Sequence, residues 1–281
     1  MPPFHPETSP PPTTHVLLTY PIPHTLLVTI NREAQRNSIP YEGHHEMGAV
    51  FDWFDSEPSL RVAIVTGAGN KSFCAGQDLI QLGKLRSGEV RLPLPMQRHP
   101  VSGFGGLSRR TGRKPVVAAV NGFAMGGGFE IVLGCDMVVA SPTATFALPE
   151  ALRGIYAAAG GPSRLVRNIG LPLATEIALT GRPITAQRAY ELGLVNRIAA
   201  SQDSVVADAV KLAQEVARIS PDSAIVTRAA LREAWELGSV ERATQTVLDR
   251  YSRGLNEGEN ALEGLKAFAE KREPVWRPSK L

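Results

Sequence analysis

The sequence predicts an α/β fold, and three observations carry that prediction. Short apolar runs ending at glycine or a polar residue recur through the first two-thirds of the chain, as buried strands do. Stretches with helical spacing alternate with them, the order expected of a largely buried sheet. Beyond Thr185 helical spacing takes over almost completely. The chain has 281 residues, 43% hydrophobic and 20% charged, which fits a soluble globular protein able to bury a large core.

In chain order, residues 1–14 hold Pro2, Pro3, Pro6, Pro10, Pro11 and Pro12 among polar neighbours and are expected to form a flexible tail outside the fold. Two strand-like runs, His15 to Tyr20 and Leu26 to Asn31, flank the turn residues Pro21-Ile22-Pro23-His24 and predict a hairpin at a sheet edge. A helix is predicted from Tyr41 to Phe54, and buried strands from Arg61 to Gly67, Val116 to Val120 and Met137 to Ala140. Between Ser87 and Gly106 the residues Pro93, Pro95, Pro100, Gly103, Gly105 and Gly106 break the rhythm and predict a long mobile loop of the kind that covers sites. Val206, Ala209, Val210, Ala213, Val216 and Ala217 then recur at helical spacing, and Ser220-Pro221-Asp222 restarts a helix. These signals divide the chain into a tail (1–14), a core (15–200), a helical region (201–276) and a short terminal segment (277–281).

Several function classes are disfavoured. No run approaches the roughly 18 apolar residues of a membrane span, and the opening Met-Pro-Pro-Phe-His-Pro is not a secretory leader, so neither membrane insertion nor secretion is expected. Cys74 and Cys135 are the only cysteines and are expected to be packed thiols in a reducing compartment. A net charge of +3 permits an anionic small ligand without demanding one. Gly67-Ala68-Gly69-Asn70-Lys71-Ser72 lacks the spacing of a phosphate loop, and His44-His45-Glu46, read as an exposed helix start, lacks that of a zinc motif. Arg109-Arg110-Thr111-Gly112-Arg113-Lys114 is a basic run better read as a solvated helix end than as an RNA-binding patch, so nucleic acid is not expected as a partner.

The chemistry concentrates in three segments. In Asn121-Gly122-Phe123-Ala124-Met125-Gly126-Gly127-Gly128-Phe129-Glu130 a strand ends and glycines open a helix, whose free N–H groups suit a developing oxyanion. Tight helix–sheet packing would use the same glycines, and a first-turn Glu130 also complements a helix dipole. Phe146-Ala147-Leu148-Pro149-Glu150 brings a second carboxylate to the exit of an extended segment, where α/β sheets place ligand chemistry. In Lys71-Ser72-Phe73-Cys74-Ala75-Gly76-Gln77-Asp78-Leu79 a narrow turn could aim the Gln77 N–H outward as a second oxyanion donor.

Taken together, these segments and Gly160-Gly161 resemble the crotonase, or enoyl-CoA hydratase/isomerase, superfamily from about His15 to Trp276. The resemblance implies a crotonase-type β-β-α spiral core with a helical C-terminal trimerisation region, a homotrimer or a hexamer of paired trimers, and neither metal nor redox cofactor, coenzyme A being part of the substrate. By position it assigns the oxyanion amides to Gln77 and Gly127, and the acid–base pair to Glu130, acting on water at C3, and Glu150, acting on the C2 proton. It places acyl-CoA contacts at Ala34, Gln35, Arg36, Ala75, Gly76, Asp78, Leu79, Gly126 and Pro149, and at Phe268 and Lys271, which would reach a neighbouring subunit's nucleotide.

Where many hydratases have a glycine whose amide helps to hold the water, this chain has Ala158. The run Leu60 to Gly67 and the ending Phe268 to Trp276 are similar to carnitinyl-CoA dehydratase. Asn31-Arg32-Glu33, Leu152 to Tyr156 and Leu231 to Trp235 look like fungal peroxisomal hydratases of secondary metabolism. That likeness implies interconversion of a 3-hydroxyacyl-CoA and a 2-enoyl-CoA, with mevalonyl-CoA to anhydromevalonyl-CoA in siderophore biosynthesis as the expected reaction. A general or toxin-pathway hydratase/isomerase and a non-enzymatic RNA-binding homologue are the alternatives. Ser279-Lys280-Leu281 reads as a peroxisomal address and implies an import receptor as a partner.

Overall fold

Every residue of the strands Val62–Gly67 and Val116–Val120 is buried, which only a sheet covered on both faces allows. The computed structural model describes residues 4–281, so the expectation for the first three residues lies outside the described ones. The strands are β1 (Val16–Thr19), β2 (Thr25–Ile30), β3 (Val62–Gly67), β4 (Ser72–Cys74), β5 (Val116–Val120), β6 (Phe123–Met125), β7 (Met137–Ala140), β8 (Thr145–Ala147), β9 (Ile184–Thr185) and β10 (Arg197–Ile198). The helices are α1 (Tyr41–Ser56), α2 (Leu79–Ser87), α3 (Gly127–Gly134), α4 (Gly161–Ile169), α5 (Leu171–Thr180), α6 (Ala186–Glu191), α7 (Val205–Ala217), α8 (Pro221–Glu236), α9 (Val240–Asn256) and α10 (Glu259–Ala269).

One six-stranded sheet runs β1-β2-β3-β5-β7-β10 and a four-stranded sheet runs β4-β6-β8-β9. Successive strands are dealt alternately to the two sheets: β3 then β4 before α2, β5 then β6 before α3, and β7 then β8 before α4. Ile39 makes the matching single-residue bridge to Gln77 before α1 closes, in structure, the turn that β2 begins. This is the β-β-α spiral. Pairing is parallel throughout except at β1–β2 and β8–β9.

Side chains alternate across β3 and β5. Ala63, Val65, Val116, Ala118 and Val120 face the core shared with the second sheet and α1, whereas Val62, Ile64, Val117 and Ala119 face α7 through Ala209, Leu212 and Ala213. Truncating Ile64 to alanine would cost about 2–5 kcal/mol by emptying that second layer. The layer also moves a boundary: α7 lies beyond residue 200, yet it forms one face of the core, because the six-stranded sheet would otherwise expose apolar side chains. The part of the helical region outside that layer starts at α8.

The described part of the proline-rich tail is not detached as expected. It joins neither sheet, but Glu57, itself buried, accepts the backbone N–H groups of Glu7 at 3.0 Å and Thr8 at 2.7 Å, Trp53 donates to the Thr8 hydroxyl, and Phe4 packs edge-on to Tyr20 and His24. A buried carboxylate needs donors, and the tail supplies them. The basic run is not a solvated helix end either. Arg110 and Lys114 are buried, Arg110 paired with Asp55 and Lys114 donating to the Phe54 carbonyl. Residues 277–281 likewise lie against the body, with the Arg277 N–H on Asn260, the Ser279 hydroxyl on Asp222 and Lys280 on Glu259. Among the described residues no helix is long and apolar enough to cross a membrane.

Candidate active site

Glu130 stands in the first turn of α3, directly after β6 and the Gly126 bend, whose φ of 57° and ψ of −125° a glycine adopts without strain. The chain turns so tightly here that its carboxylate is drawn into the body and is 3% exposed. Gly161, the first residue of α4, donates its N–H to Glu130 Oε1 at 2.8 Å, so a helix N-terminus holds this oxygen. Burial raises the Glu130 pKa to about 7; the Gly161 N–H opposes the rise, the Glu150 charge adds to it, and the Ala159 amide and Arg164 oppose it.

Glu150 leaves β8 through Leu148 and Pro149 and caps a short turn, Ala151–Arg153. Its carboxylate lies against Gly126 so closely that a Cβ there would sit 2.7 Å from Oε1. Burial raises its pKa too, against a bond from its own backbone and the charge of Arg153. Glu150 Oε2 is shielded from solvent and has no hydrogen-bond partner among the described residues. It is a polar atom aimed at nothing among the described residues, as a group kept for a ligand would be.

The amides come from the same bends. Gly76 adopts φ +91°, and a Cβ on it would lie 2.9 Å from the Met125 carbonyl and 3.4 Å from the Gly127 nitrogen. The Ile39 bridge uses the Gly76 carbonyl and the Asp78 N–H, leaving the Gln77 N–H on the opposite side of the strand. The Gly127 N–H is the first of α3. Neither the Gln77 nor the Gly127 N–H donates to any acceptor among the described residues. Two free donors on adjoining backbones meet the geometric requirement for holding an oxygen that gains charge.

A cavity of about 740 Å³ collects these groups. Of the residues singled out from sequence, Ala75, Gly76, Gln77, Leu79, Gly126, Gly127, Glu130, Pro149 and Glu150 line it. Asp78 does not: its carboxylate caps α2 through the Ile80 and Gln81 N–H groups and pairs with Arg32 at 3.0 Å. Ala34, Gln35 and Arg36 are outside the lining, although the Arg36 carbonyl accepts the Ala75 N–H at 3.1 Å and so ties that loop to the cavity wall. Phe268 and Lys271, at the end of α10, do not line this chain's own cavity, and Phe268 is 87% exposed.

Sequence reading missed one wall. His44 is fully buried, not at an exposed helix start; it bonds Gln77 Oε1 at 2.9 Å and packs with His99 and Phe104 at 4.6 and 4.3 Å between ring centroids. Tyr41, His99 and Phe104 line the cavity beside it. The available signal was spacing: Tyr41, His44 and Gly48 share the α1 face that packs on the 100–106 segment. Among the described residues no three His, Cys, Asp or Glu side chains cluster as a metal site.

The sequence matches the enoyl-CoA hydratase/isomerase family over residues 24–279. The chain belongs to that family. It is 47% identical over 265 residues to the mevalonyl-coenzyme A hydratase of Aspergillus fumigatus, covering 94% of this chain and 96% of the relative. It is 41% identical to the carnitinyl-CoA dehydratase of Escherichia coli strain K12, covering 90% and 94%. In structure it is similar to an enoyl-CoA hydratase from Bacillus anthracis, with a TM-score of 0.85, 32% identity and 94% and 99% of the two chains covered. For this member of the enoyl-CoA hydratase/isomerase family, the 158–161 turn is informative: Ala158 is exposed at the cavity edge, and the amide that grips Glu130 is that of Gly161.

Proposed function

We propose that the protein is an acyl-CoA hydro-lyase that interconverts a 3-hydroxyacyl-CoA and a 2-enoyl-CoA. The observation that carries this reading is the meeting of a buried carboxylate, Glu130, and a half-buried one, Glu150, with the free amides of Gln77 and Gly127 in one cavity. Family membership supports the same reaction class.

In hydration the thioester carbonyl oxygen lies on the two amides, which take up charge as C2 becomes enolate-like. Glu130 as carboxylate removes a proton from water as the water oxygen bonds to C3, and Glu150 as acid delivers a proton to C2. Dehydration runs the same transfers in reverse: Glu150 takes the C2 proton, and Glu130 protonates the departing C3 hydroxyl, which leaves as water. A pKa of about 7 lets Glu130 serve in either direction near neutrality. Coenzyme A belongs to the substrate, and no step requires a metal or redox cofactor.

Mevalonyl-CoA, dehydrated to anhydromevalonyl-CoA in siderophore biosynthesis, is the preferred substrate in this reading, supported by the 47% identity to a relative named for mevalonyl-coenzyme A. A trimer in which Phe268 and Lys271 meet a neighbour's nucleotide is supported by the exposure of Phe268 away from its own cavity. Peroxisomal import, read from Ser279-Lys280-Leu281, would require these residues to leave Asp222 and Glu259. The test is water release from mevalonyl-CoA and water addition to crotonyl-CoA by the purified chain. Activity confined to crotonyl-CoA would remove the siderophore assignment, and activity on neither would remove the hydro-lyase.

A further inference from the structure

Gln77 brings more than its backbone N–H to the cavity. The Gly105 N–H donates to His44 Nδ1 at 3.1 Å, so that nitrogen is the ring's acceptor and its proton sits on Nε2. His44 Nε2 therefore donates to Gln77 Oε1 at 2.9 Å. Turning the amide over would set its NH2 against the Nε2–H, so the relay from Gly105 through His44 fixes which end of Gln77 points away. Burial holds the His44 pKa down to about 3, with the His99 charge adding to the effect, so the ring stays neutral and the relay keeps one sense. His99 Nε2, from the segment between α2 and β5, stands 3.4 Å from the same oxygen.

The other end, Gln77 Nε2, is shielded from solvent and has no acceptor among the described residues. A buried amide donor without an acceptor is costly to keep, more so when a neighbouring ring locks its orientation. The Oε1 end of this amide meets His44 from α1 and His99 from the 99–104 segment, whereas Glu130 is held by α4 and Glu150 sits against Gly126. The Gln77 side chain and the two carboxylates thus enter the cavity from different walls. The rings of Phe104 and Tyr41 give the Gln77 wall apolar surface, and a hydrocarbon chain lying on it would leave the amide unpaired.

We propose that the Gln77 side-chain amide donates to an oxygen on the acyl chain beyond C3, so that the enzyme selects acyl-CoA substrates with a distal hydroxyl over plain hydrocarbon ones. The inference rests on the hydro-lyase reading above. His44 is a positioning residue in it, acting only through Gln77.

The test uses the full-length protein and two substrates that differ by one distal hydroxyl, mevalonyl-CoA and 3-hydroxy-3-methylvaleryl-CoA. Wild type is expected to favour the hydroxylated substrate in kcat/KM by about tenfold or more. Gln77→Met, which keeps the backbone N–H and nearly the same volume, is expected to bring the ratio close to one, and His44→Phe to lower it in the same direction. Equal kcat/KM values in wild type overturn the proposal, as does a Gln77→Met loss shared equally by both substrates, which would put the amide on the thioester or C3. Should Gln77→Met not fold, Gln77→Leu and the wild-type ratio decide on the same terms. Failure of wild type to turn over these substrates or crotonyl-CoA would instead remove the hydro-lyase reading itself.

Discussion

The Gly161 N–H and Glu130 Oε1, 2.8 Å apart, join two helices at the reacting carboxylate. The bond orients one oxygen with a donor that does not titrate. Burial can then raise the carboxyl's pKa without loosening its position.

The first prediction concerns pH. With the Glu130 pKa raised to about 7 by burial, hydration, which needs the carboxylate, should lose kcat/KM as pH falls through about 7. Dehydration, which needs the acid, should lose it as pH rises through the same value. Stability has its own sign. The folded chain binds this proton more tightly than the unfolded one, so the contribution is full below the ordinary carboxylate pKa and is lost as pH rises toward 7. Glu130→Gln should therefore stabilise the chain at pH 8 by up to about 3 kcal/mol and much less at pH 4. Denaturant melts at both pH values check this; an equal effect at the two would contradict it.

Gly76→Ala should misplace the Gln77 N–H. The added Cβ would meet the Met125 carbonyl at 2.9 Å at a φ of +91°, so the backbone must shift. Loss of one oxyanion donor should lower kcat by about 10²- to 10³-fold. Steady-state kinetics beside a thermal melt tests this, and a variant that folds with near-normal kcat would clear Gln77 of the role.

Removing residues 1–14 should destabilise the core. Burial alone would raise the Glu57 pKa, but hydrogen bonds from Ser59, Thr8 and Glu7 hold it down at about 2. That stability is present above the ordinary carboxylate pKa and is lost as pH falls toward 2, so deletion should move acid unfolding to higher pH. A drop in Tm of several degrees is expected at neutral pH, about 2–4 °C for each kcal/mol lost at this chain size. An unchanged melting curve would mean that the tail's contacts contribute nothing.

Much of this fold was legible because its strands are short, fully apolar and ended by glycine. Val116–Val120 and Met137–Ala140 stand in the structure with the bounds their pattern implies. The dealing of alternate strands to two sheets was not legible from periodicity, because β4, β6 and β8 have only three residues each, too few to show a period. The glutamates and glycines announced themselves by local chemistry. His44 did not, since its meaning depends on Gly105 and Gln77, far away in sequence, as partners for its two ring nitrogens. The basic run misled for a related reason: Asp55 and the Phe54 carbonyl, which hold Arg110 and Lys114, come from the end of α1, far away in sequence.

The central claim is that Glu130 and Glu150 together move the water and the C2 proton. It is tested most directly by the rate of water addition to a 2-enoyl-CoA for wild type, Glu130→Gln, Glu150→Gln and the double variant, with thioester binding measured alongside by calorimetry. Each single variant should lose about 10²- to 10⁴-fold in kcat while still binding thioester, and the double variant should fall little further, since the two groups act as a unit. A single variant that binds normally and keeps kcat within about tenfold of wild type would contradict the account.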